Sequence, residues 1–357
     1  MEENGNESKV KILFFSLLLL FLVLALPAKC HMICEQRAQS QLLKFIASLF
    51  VVVGHEMSFY GIGNDLLMRE TAVGALCVSF FLFMSGYGLL YGFLIKNQKL
   101  DEAWLRKRMV KLGVSELTAI ALFVIAELYT RKPIDWQTLL TYWFVSDNNL
   151  KYGWYVTEIV ILYFAFFVCF RCFKPYFATW VLISSIFLGS VVLVVCKVAV
   201  WYIQGLPCFV IGMIFAVFDM KSKTARLKKY DYKFKLSIII AVVVFCLFKN
   251  FDFVQLVFPV LNKWRYMYAS FYVTNILFII IIAYILMCLP VFKLMTKRGG
   301  YFYEIYLVQG ATLLVCREWM SNDFLFIVLG LVITVVVAKW MNVVNKWIIG
   351  YISLFFN

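Results

Sequence analysis

The sequence is poor in charged residues, which fill 15% of its 357 positions, whereas hydrophobic residues fill 64%. No stretch of the chain has the charged composition of a soluble domain. Apolar runs of about 20 residues recur along most of its length, enough for a helix to cross a bilayer. These long continuous runs also exclude the alternating pattern of a membrane barrel. We therefore predict an all-α integral membrane protein with about 10–11 transmembrane helices and no soluble domain. The candidate spans lie near residues 11–27, 42–60, 71–95, 109–129, 153–173, 178–197, 199–218, 235–251, 268–289, 301–316 and 323–345.

Several motifs of nucleotide and metal chemistry are also missing. The chain has no Walker loop and no dinucleotide-binding glycine fingerprint. Its ten cysteines are mostly scattered, and two closer pairs occur, Cys30 with Cys34 and Cys169 with Cys172. Neither has a second pair at the spacing of a zinc site, so we expect no metal.

The charges that are present are unevenly distributed, with a net charge of +14. From the second predicted span onward, 22 Lys and Arg residues fall on one side of the membrane and nine on the other. Because such residues collect in cytosolic loops, we predict that residues 96–111 and 221–235 are cytosolic and residues 130–152 external. The charge then reflects topology rather than nucleic-acid binding, and its natural partners are anionic membrane lipids or a phosphate-bearing cytosolic ligand.

The predicted organisation has two parts. Residues 1–36 carry an extra hydrophobic helix near 11–27, and residues 37–357 form the main transmembrane domain. A cleaved signal peptide at the start would reverse the orientation that the later loops require. A mistaken start site or an interfacial segment remain alternatives for the first part. We expect a multi-pass protein of a cell membrane, the bacterial cytoplasmic membrane in particular.

One predicted helix carries a polar stripe. Lys44 and His55 are eleven positions apart, which puts them on the same side with about 16 Å between them along the helix. Gln41, Ser48 and Ser58 fall on the same stripe, and the other faces are apolar. Ionisable groups in a bilayer are costly unless partnered, so the stripe is expected to face the bundle interior or a wet cavity. A histidine bonded to a neighbouring helix for packing is the structural alternative.

The two ends of this stripe suit different chemistry. Histidine is the side chain best suited to remove a proton near neutral pH, and a neutral imidazole tolerates burial better than a carboxylate. Lys44 lies at the predicted cytosolic mouth. A cytosolic anion held there, with a hydroxyl deprotonated at His55, is the arrangement that the stripe suggests.

The segment KFIASLFVVVGH, residues 44–55, resembles the Arg-x10-His signature of the membrane acyltransferase 3 family, with Lys44 in the place of the usual arginine. Five further segments resemble family motifs in the correct order: FFLFMSGYGLLYG (80–92, ending in a Ser-Gly-aromatic turn), LRKRMVKL (105–112), WYVTEIVILYF (154–164), FVIGMIFA (209–216) and YEIYLVQG (303–310). In the last of these, Gln309 stands where the family frequently has a histidine. The resemblance runs from about residue 37 to residue 345.

This resemblance implies transfer of an acyl group, commonly acetyl, from cytosolic acetyl-CoA or another acyl-CoA to a hydroxyl of a carbohydrate acceptor. It makes His55 the general base. Lys44 is assigned to the anionic portion of the donor, and Arg106 and Arg108 to the phosphates of coenzyme A. Ordinary positive-inside topology is the alternative explanation of both arginines.

Glu158 is a second catalytic candidate, able to orient His55 or to line the acceptor path unless it faces water. For Glu56, which points about 100° away from His55 on the same helix, solvation or pairing between helices is expected. Ser85 and Tyr87 are expected to pack a tight turn.

The acceptor is expected to be a cell-surface polysaccharide or its lipid-linked precursor, with direct transfer or help from a separate extracytoplasmic partner. A transporter or flippase is the alternative function, because it would use the same intramembrane ionisable residues. A transporter of this kind typically has broken helices in two related halves of the chain, and the two halves of this sequence show no such similarity.

Overall fold

The structure, a computed structural model, describes residues 33, 37–60, 73–94, 98–131, 154–198, 200–222, 240, 263–288 and 300–354. Across these residues the regular elements are helices, without a strand. The α-helices are α1 (Arg37–Tyr60), α2 (Val73–Leu94), α3 (Glu102–Tyr129), α4 (Trp154–Cys172), α5 (Pro175–Val195), α6 (Leu206–Ser222), α7 (Lys263–Cys288), α8 (Phe302–Trp319) and α9 (Asp323–Leu354). A short 3₁₀ turn, Val200–Tyr202, precedes α6. The predicted all-α fold is confirmed.

Eight of the described helices are long and apolar enough to cross a membrane. The exception is α8, which carries Glu304 near its start and Arg317 and Glu318 near its end. Most of α8 between these ends is buried, so it is a core helix of the bundle. The predicted spans near 11–27 and 235–251 lie outside the described residues, except for residue 240. Most of the predicted loops 130–152 and 221–235 also lies outside them, from residues 132 and 223 onward.

Helix α3 begins earlier than the predicted span at 109–129. Asp101 caps it in an extended conformation, and its carboxylate accepts a hydrogen bond of 2.7 Å from the Trp104 N–H. Such a cap satisfies a backbone donor that would otherwise have no partner in the first turn. The expectation of a basic loop is therefore wrong for Arg106, Lys107 and Arg108, which lie on the first turns of this helix.

The chain forms two compact units. The first comprises residues 1–44, 64–98 and 183–298, and the second comprises residues 45–63, 99–182 and 299–357. Helix α1 begins in the first unit and continues in the second, while α5 begins in the second and continues in the first.

The first unit contains a close crossing of α2 and α6. A Cβ atom on Gly86 would collide with the carbonyl of Phe209, and a Cβ on Gly212 would collide with the carbonyl of Phe83. The two glycines therefore allow the helix backbones to touch, which larger residues would prevent.

The expectation of a tight turn at Ser85 and Tyr87 is wrong. Both residues lie inside the unbroken helix α2, because the neighbouring Gly86 allows a close helix contact and does not bend the chain. Tyr87 is buried, and its hydroxyl donates a hydrogen bond of 2.7 Å to Asp219 on α6.

The second unit is built around α8, which packs against α3 and α9. The side chain of Asn345 on α9 joins two residues of α3: its amide nitrogen donates to Ser115 Oγ, and its amide oxygen accepts from Thr118 Oγ1. Three turns earlier on α3, Trp104 stacks with Phe166 and Phe167 of α4. These contacts fix the helices that carry the candidate site.

Candidate active site

His55 on α1 is hydrogen-bonded to Gln309 on α8, with 3.0 Å between Nδ1 and the amide Oε1. An amide oxygen can only accept, so the Nδ1–H of the imidazole is the donor. In the neutral ring this places the basic lone pair on Nε2, the nitrogen that can take a proton. The bond thus joins two segments that the sequence separates by 254 positions and selects one tautomer of the histidine.

Gln309 is held rigidly for this role. It is completely buried on α8, and residues on both sides of it are buried as well. One turn later, the Thr312 hydroxyl lies 2.6 Å from that of Thr334 on α9 and hydrogen-bonds back to its own helix. The amide nitrogen of Gln309, Nε2, has no hydrogen-bond partner among the described residues. A buried amide donor of this kind is rare in proteins and is available to a substrate atom.

Glu56 lies next to His55 in sequence but is fully buried, so the expectation of a solvated side chain is wrong. The reason is the absence of a side chain on Gly330 of α9, where a Cβ would lie only 2.6 Å from Glu56 Oε1. The alternative, pairing between helices, is not seen either, because neither carboxylate oxygen has a hydrogen-bond partner within the described ranges.

Glu158 on α4 is buried, with 6% of its surface exposed, which excludes the alternative in which it faces water. Neither of its carboxylate oxygens finds a hydrogen-bond partner in the part of the chain that the structure describes. One turn earlier, Tyr155 packs edge-on against Tyr306 of α8, with 5.3 Å between the ring centroids. Glu158 therefore lies on a helix that contacts the helix of Gln309, although no hydrogen bond joins Glu158 to His55.

Arg108 is held in place by aromatic rings. Its guanidinium lies 4.1 Å from the ring centroid of Trp104 and 5.7 Å from that of Tyr163 on α4. The side chain is partly buried, and its Nε has no hydrogen-bond partner among the residues described. Stacking of this kind holds a guanidinium in one orientation while leaving its N–H groups available for an anion.

Arg106 and Arg108 lie on different sides of α3, because two residues correspond to about 200° around a helix. Arg106 is exposed and lines a cavity of about 300 Å³ together with residues of α9. Arg108 instead contacts α4 through Tyr163. The structure therefore does not bring the two arginines together, as a single phosphate site would require.

Lys44 is partly buried on α1, in the third turn of the helix. The helix is unbroken from Arg37 to Tyr60, so Lys44 and His55 are separated by about 16 Å along it, as predicted from the sequence. Ser48, on the predicted polar stripe, is turned back to its own helix and donates to the Phe45 carbonyl at 2.7 Å.

Tyr303 and Tyr163 were not singled out from the sequence. The Tyr303 hydroxyl is buried without a hydrogen-bond partner among the described residues, and it lies within electrostatic range of Tyr163 and the carboxylates of Glu116 and Glu304. Both tyrosines belong to segments that resemble family motifs, and this resemblance is the sequence signal that could have identified them. No group of three or more metal-ligating side chains occurs in the described ranges.

Residues 37–343 match the family model Acyl_transf_3, described as an acyltransferase domain. Neither a curated protein nor a solved structure matches the chain. The matched range contains every residue of the candidate site described above.

Proposed function

The chain belongs to the Acyl_transf_3 family and is a membrane acyltransferase, and from this premise we propose that it is an O-acyltransferase that uses cytosolic acyl-CoA. The proposed acyl group is acetyl. The proposed acceptor is a hydroxyl of a cell-surface polysaccharide or a lipid-linked glycan, modified at the bacterial cytoplasmic membrane with or without a separate extracytoplasmic partner.

The hydrogen bond between His55 and Gln309 is the observation that carries this proposal. A hydroxyl is a poor nucleophile until a positioned base removes its proton, and the bond leaves Nε2 as the basic nitrogen. The acceptor oxygen attacks the thioester carbonyl carbon while Nε2 takes the hydroxyl proton. The C–S bond then breaks, the ester C–O bond remains, and the proton passes from the imidazolium to the departing thiolate.

Glu158 and Gln309 are proposed to position the acceptor. Both offer buried polar atoms that have no hydrogen-bond partner among the described residues: carboxylate oxygens in Glu158 and the amide nitrogen in Gln309. Burial without a partner costs about 1–3 kcal/mol for each group, a cost that a polyhydroxylated substrate would remove. This chemistry fits a sugar ring, which both donates and accepts hydrogen bonds.

Arg108 is proposed to bind a phosphate of the donor. Its guanidinium is held over Trp104 by stacking, so little side-chain entropy is lost when an anion binds. Lys44, on the same helix as His55, remains the proposed contact for the anionic portion of the donor. The opposite direction of Arg106 leads us to assign the donor phosphate to Arg108 and not to both arginines.

The test is thiol release from acetyl-CoA by the purified protein in detergent, with and without a glycan acceptor. His55→Ala should lower kcat by about 10²–10⁴-fold, the usual contribution of a general base, without changing the affinity for acetyl-CoA. Arg108→Ala should raise the KM for acetyl-CoA about tenfold or more and leave kcat close to that of the wild type. Lys174→Ala, which removes an exposed charge, is the matched control for Arg108.

If His55→Ala kept an activity within a few fold of the wild type, His55 would not be the general base. The acceptor is tested separately, by comparing ester-linked acetate on purified surface glycans from wild-type and deletion strains. An unchanged acetate content in every glycan class would favour a small-molecule acceptor.

A further inference from the structure

Two helices of the second unit carry buried hydrogen-bond donors that have no partner among the described residues. On α3 these donors are Trp104 Nε1 and Arg108 Nε, and on α8 the donor is the Tyr303 hydroxyl. Buried donors in proteins are nearly always hydrogen-bonded, so a ligand rich in acceptor atoms would complete them. The proposed function uses Arg108 and assigns nothing to Tyr303.

Helix α4 lies against both sets of donors. Tyr163 of α4 lies beside Arg108, with 5.7 Å between the guanidinium carbon and the ring centroid. The Tyr303 hydroxyl is within electrostatic range of the same Tyr163 and of Tyr155. One turn after Tyr303 on α8, Tyr306 packs edge-on against Tyr155, with 5.3 Å between the ring centroids. Arg108 and Tyr303 are therefore neighbours of one tyrosine on α4.

Tyr303 lies between the proposed phosphate contact and the candidate base. Contacts lead from Arg108 through Tyr163 to Tyr303. From there α8 rises about 9 Å, in less than two turns, to Gln309, which is hydrogen-bonded to His55. The ring of Tyr303 is partly exposed, although its hydroxyl is buried. A ligand can therefore approach this side chain.

The charges near Tyr303 are mixed, in contrast with the cation at the proposed phosphate contact. The carboxylates of Glu116 and Glu304 are within electrostatic range of the Tyr303 hydroxyl. Glu304 has partners of its own, namely the Asn342 amide at 2.9 Å and, within electrostatic range, Lys111 and Lys346. Carboxylates near the hydroxyl disfavour a second phosphate there, because like charges repel, whereas they tolerate an uncharged group that accepts a hydrogen bond.

We propose, on the basis of the proposed function, that the Tyr303 hydroxyl donates a hydrogen bond to an amide carbonyl in the pantetheine arm of acyl-CoA. The pantetheine arm is the part of the donor that is uncharged, contains amide carbonyls and joins the phosphates to the thioester. Tyr303 has the matching features, since it is an uncharged donor between Arg108 and the base. The bond holds the arm and presents the thioester to the acceptor that His55 activates.

The test compares coenzyme A with 3′-phosphoadenosine 5′-diphosphate, which keeps the phosphates and lacks the arm. Their affinities for the purified full-length protein in detergent are measured by isothermal titration calorimetry. Tyr303→Phe should weaken the binding of coenzyme A about fivefold, because one hydrogen bond to a neutral carbonyl is lost. It should leave the affinity for 3′-phosphoadenosine 5′-diphosphate within twofold of the wild type. Arg108→Ala should weaken the binding of both compounds.

Tyr87→Phe is the matched control, since it removes a buried hydroxyl from the first unit and should change neither affinity by more than twofold. Thermal stability without a ligand is the second readout. Because the Tyr303 hydroxyl has no partner among the described residues, Tyr303→Phe should unfold at the temperature of the wild type or above it. A lower unfolding temperature would give the hydroxyl a structural role and would overturn the proposal.

The outcomes separate this proposal from the proposed function. If Arg108→Ala weakens the binding of both compounds while Tyr303→Phe changes neither affinity or lowers both equally, acyl-CoA remains the donor and the role of Tyr303 is wrong. If the wild type binds neither compound, acyl-CoA is not the donor, and the role of Tyr303 is overturned with it.

Discussion

The crossing of α2 and α6 and the surroundings of His55 both contain segments that resemble family motifs, yet they are built in opposite ways. At the crossing, Gly86 and Gly212 bring two backbones into contact. The buried Asp219 there accepts a hydrogen bond from Tyr87 of the partner helix. In the second unit, which contains His55, the buried carboxylate oxygens of Glu56 and Glu158 have no hydrogen-bond partner among the described residues.

This difference separates a structural role from a functional one. Buried polar groups in proteins are nearly always hydrogen-bonded, so the carboxylates of Glu56 and Glu158, which have no hydrogen-bond partner among the described residues, indicate places that a ligand or water completes. Tight contact between two backbones, with a tyrosine hydroxyl that donates to a buried carboxylate, instead indicates a scaffold. A motif shared with a family does not by itself distinguish these two cases.

The largest predicted effect is at the crossing. Gly86→Ala and Gly212→Ala should each lower the free energy of unfolding by about 3 kcal/mol or more, because the added methyl group collides with backbone and not with a flexible side chain. Thermal unfolding in detergent and the yield of monodisperse protein measure this loss.

Gly88→Ala is the matched control for these variants. It lies on the same helix two residues from Gly86, and a Cβ there meets no described atom within 4 Å. Its stability should equal or slightly exceed that of the wild type, since alanine favours a helix. If Gly86→Ala and Gly88→Ala were equally stable, the close backbone contact at the α2–α6 crossing would not be a structural requirement.

The second effect is smaller and falls on activity. Gln309→Leu removes the acceptor of the His55 Nδ1–H, so the imidazole loses its fixed tautomer and orientation, and kcat should fall about tenfold or more. Gln309→Glu keeps an acceptor at the same position and should restore much of this loss. Thermal stability of both variants should remain close to that of the wild type, and a parallel fall of stability and kcat in both would indicate a packing role instead.

The smallest effect concerns the hydrogen bond at the crossing. Tyr87→Phe keeps the ring and deletes the hydroxyl that donates to Asp219, which should lower the free energy of unfolding by about 1 kcal/mol. The kcat per folded molecule should be unchanged, as measured by thiol release after correction for folded protein. A loss of kcat comparable to that of Gln309→Leu would place Tyr87 in the active site.

Much of the fold follows from apolar run length, because hydrocarbon leaves the backbone few choices. The positions of nine described helices agree with predicted spans, and the main error is that α3 begins before its predicted span and α9 ends after its own. That error arose because a hydropathy pattern detects the apolar part of a helix and not the part that continues beyond the membrane core. The cap residue Asp101 was the local signal that could have corrected it.

The candidate site was less predictable, since it depends on contacts between distant segments. The polar stripe and the family resemblance pointed to His55, but no local pattern connects it to Gln309. The burial of Glu56 depends on a glycine that is 274 positions away in the sequence. Likewise, the separation of Arg106 from Arg108 arises because a helix, and not a loop, carries both residues.

The most direct test of the central claim is the protonation pattern of His55. The chain has only two histidines, so protein labelled with ¹⁵N at histidine, with and without His31→Ala, gives an assigned imidazole spectrum. At neutral pH we expect a neutral His55 that is protonated at Nδ1 and not at Nε2, and we expect Gln309→Leu to lose this single form. A His55 protonated at Nε2 in the wild type, or a spectrum that Gln309→Leu leaves unchanged, would contradict it.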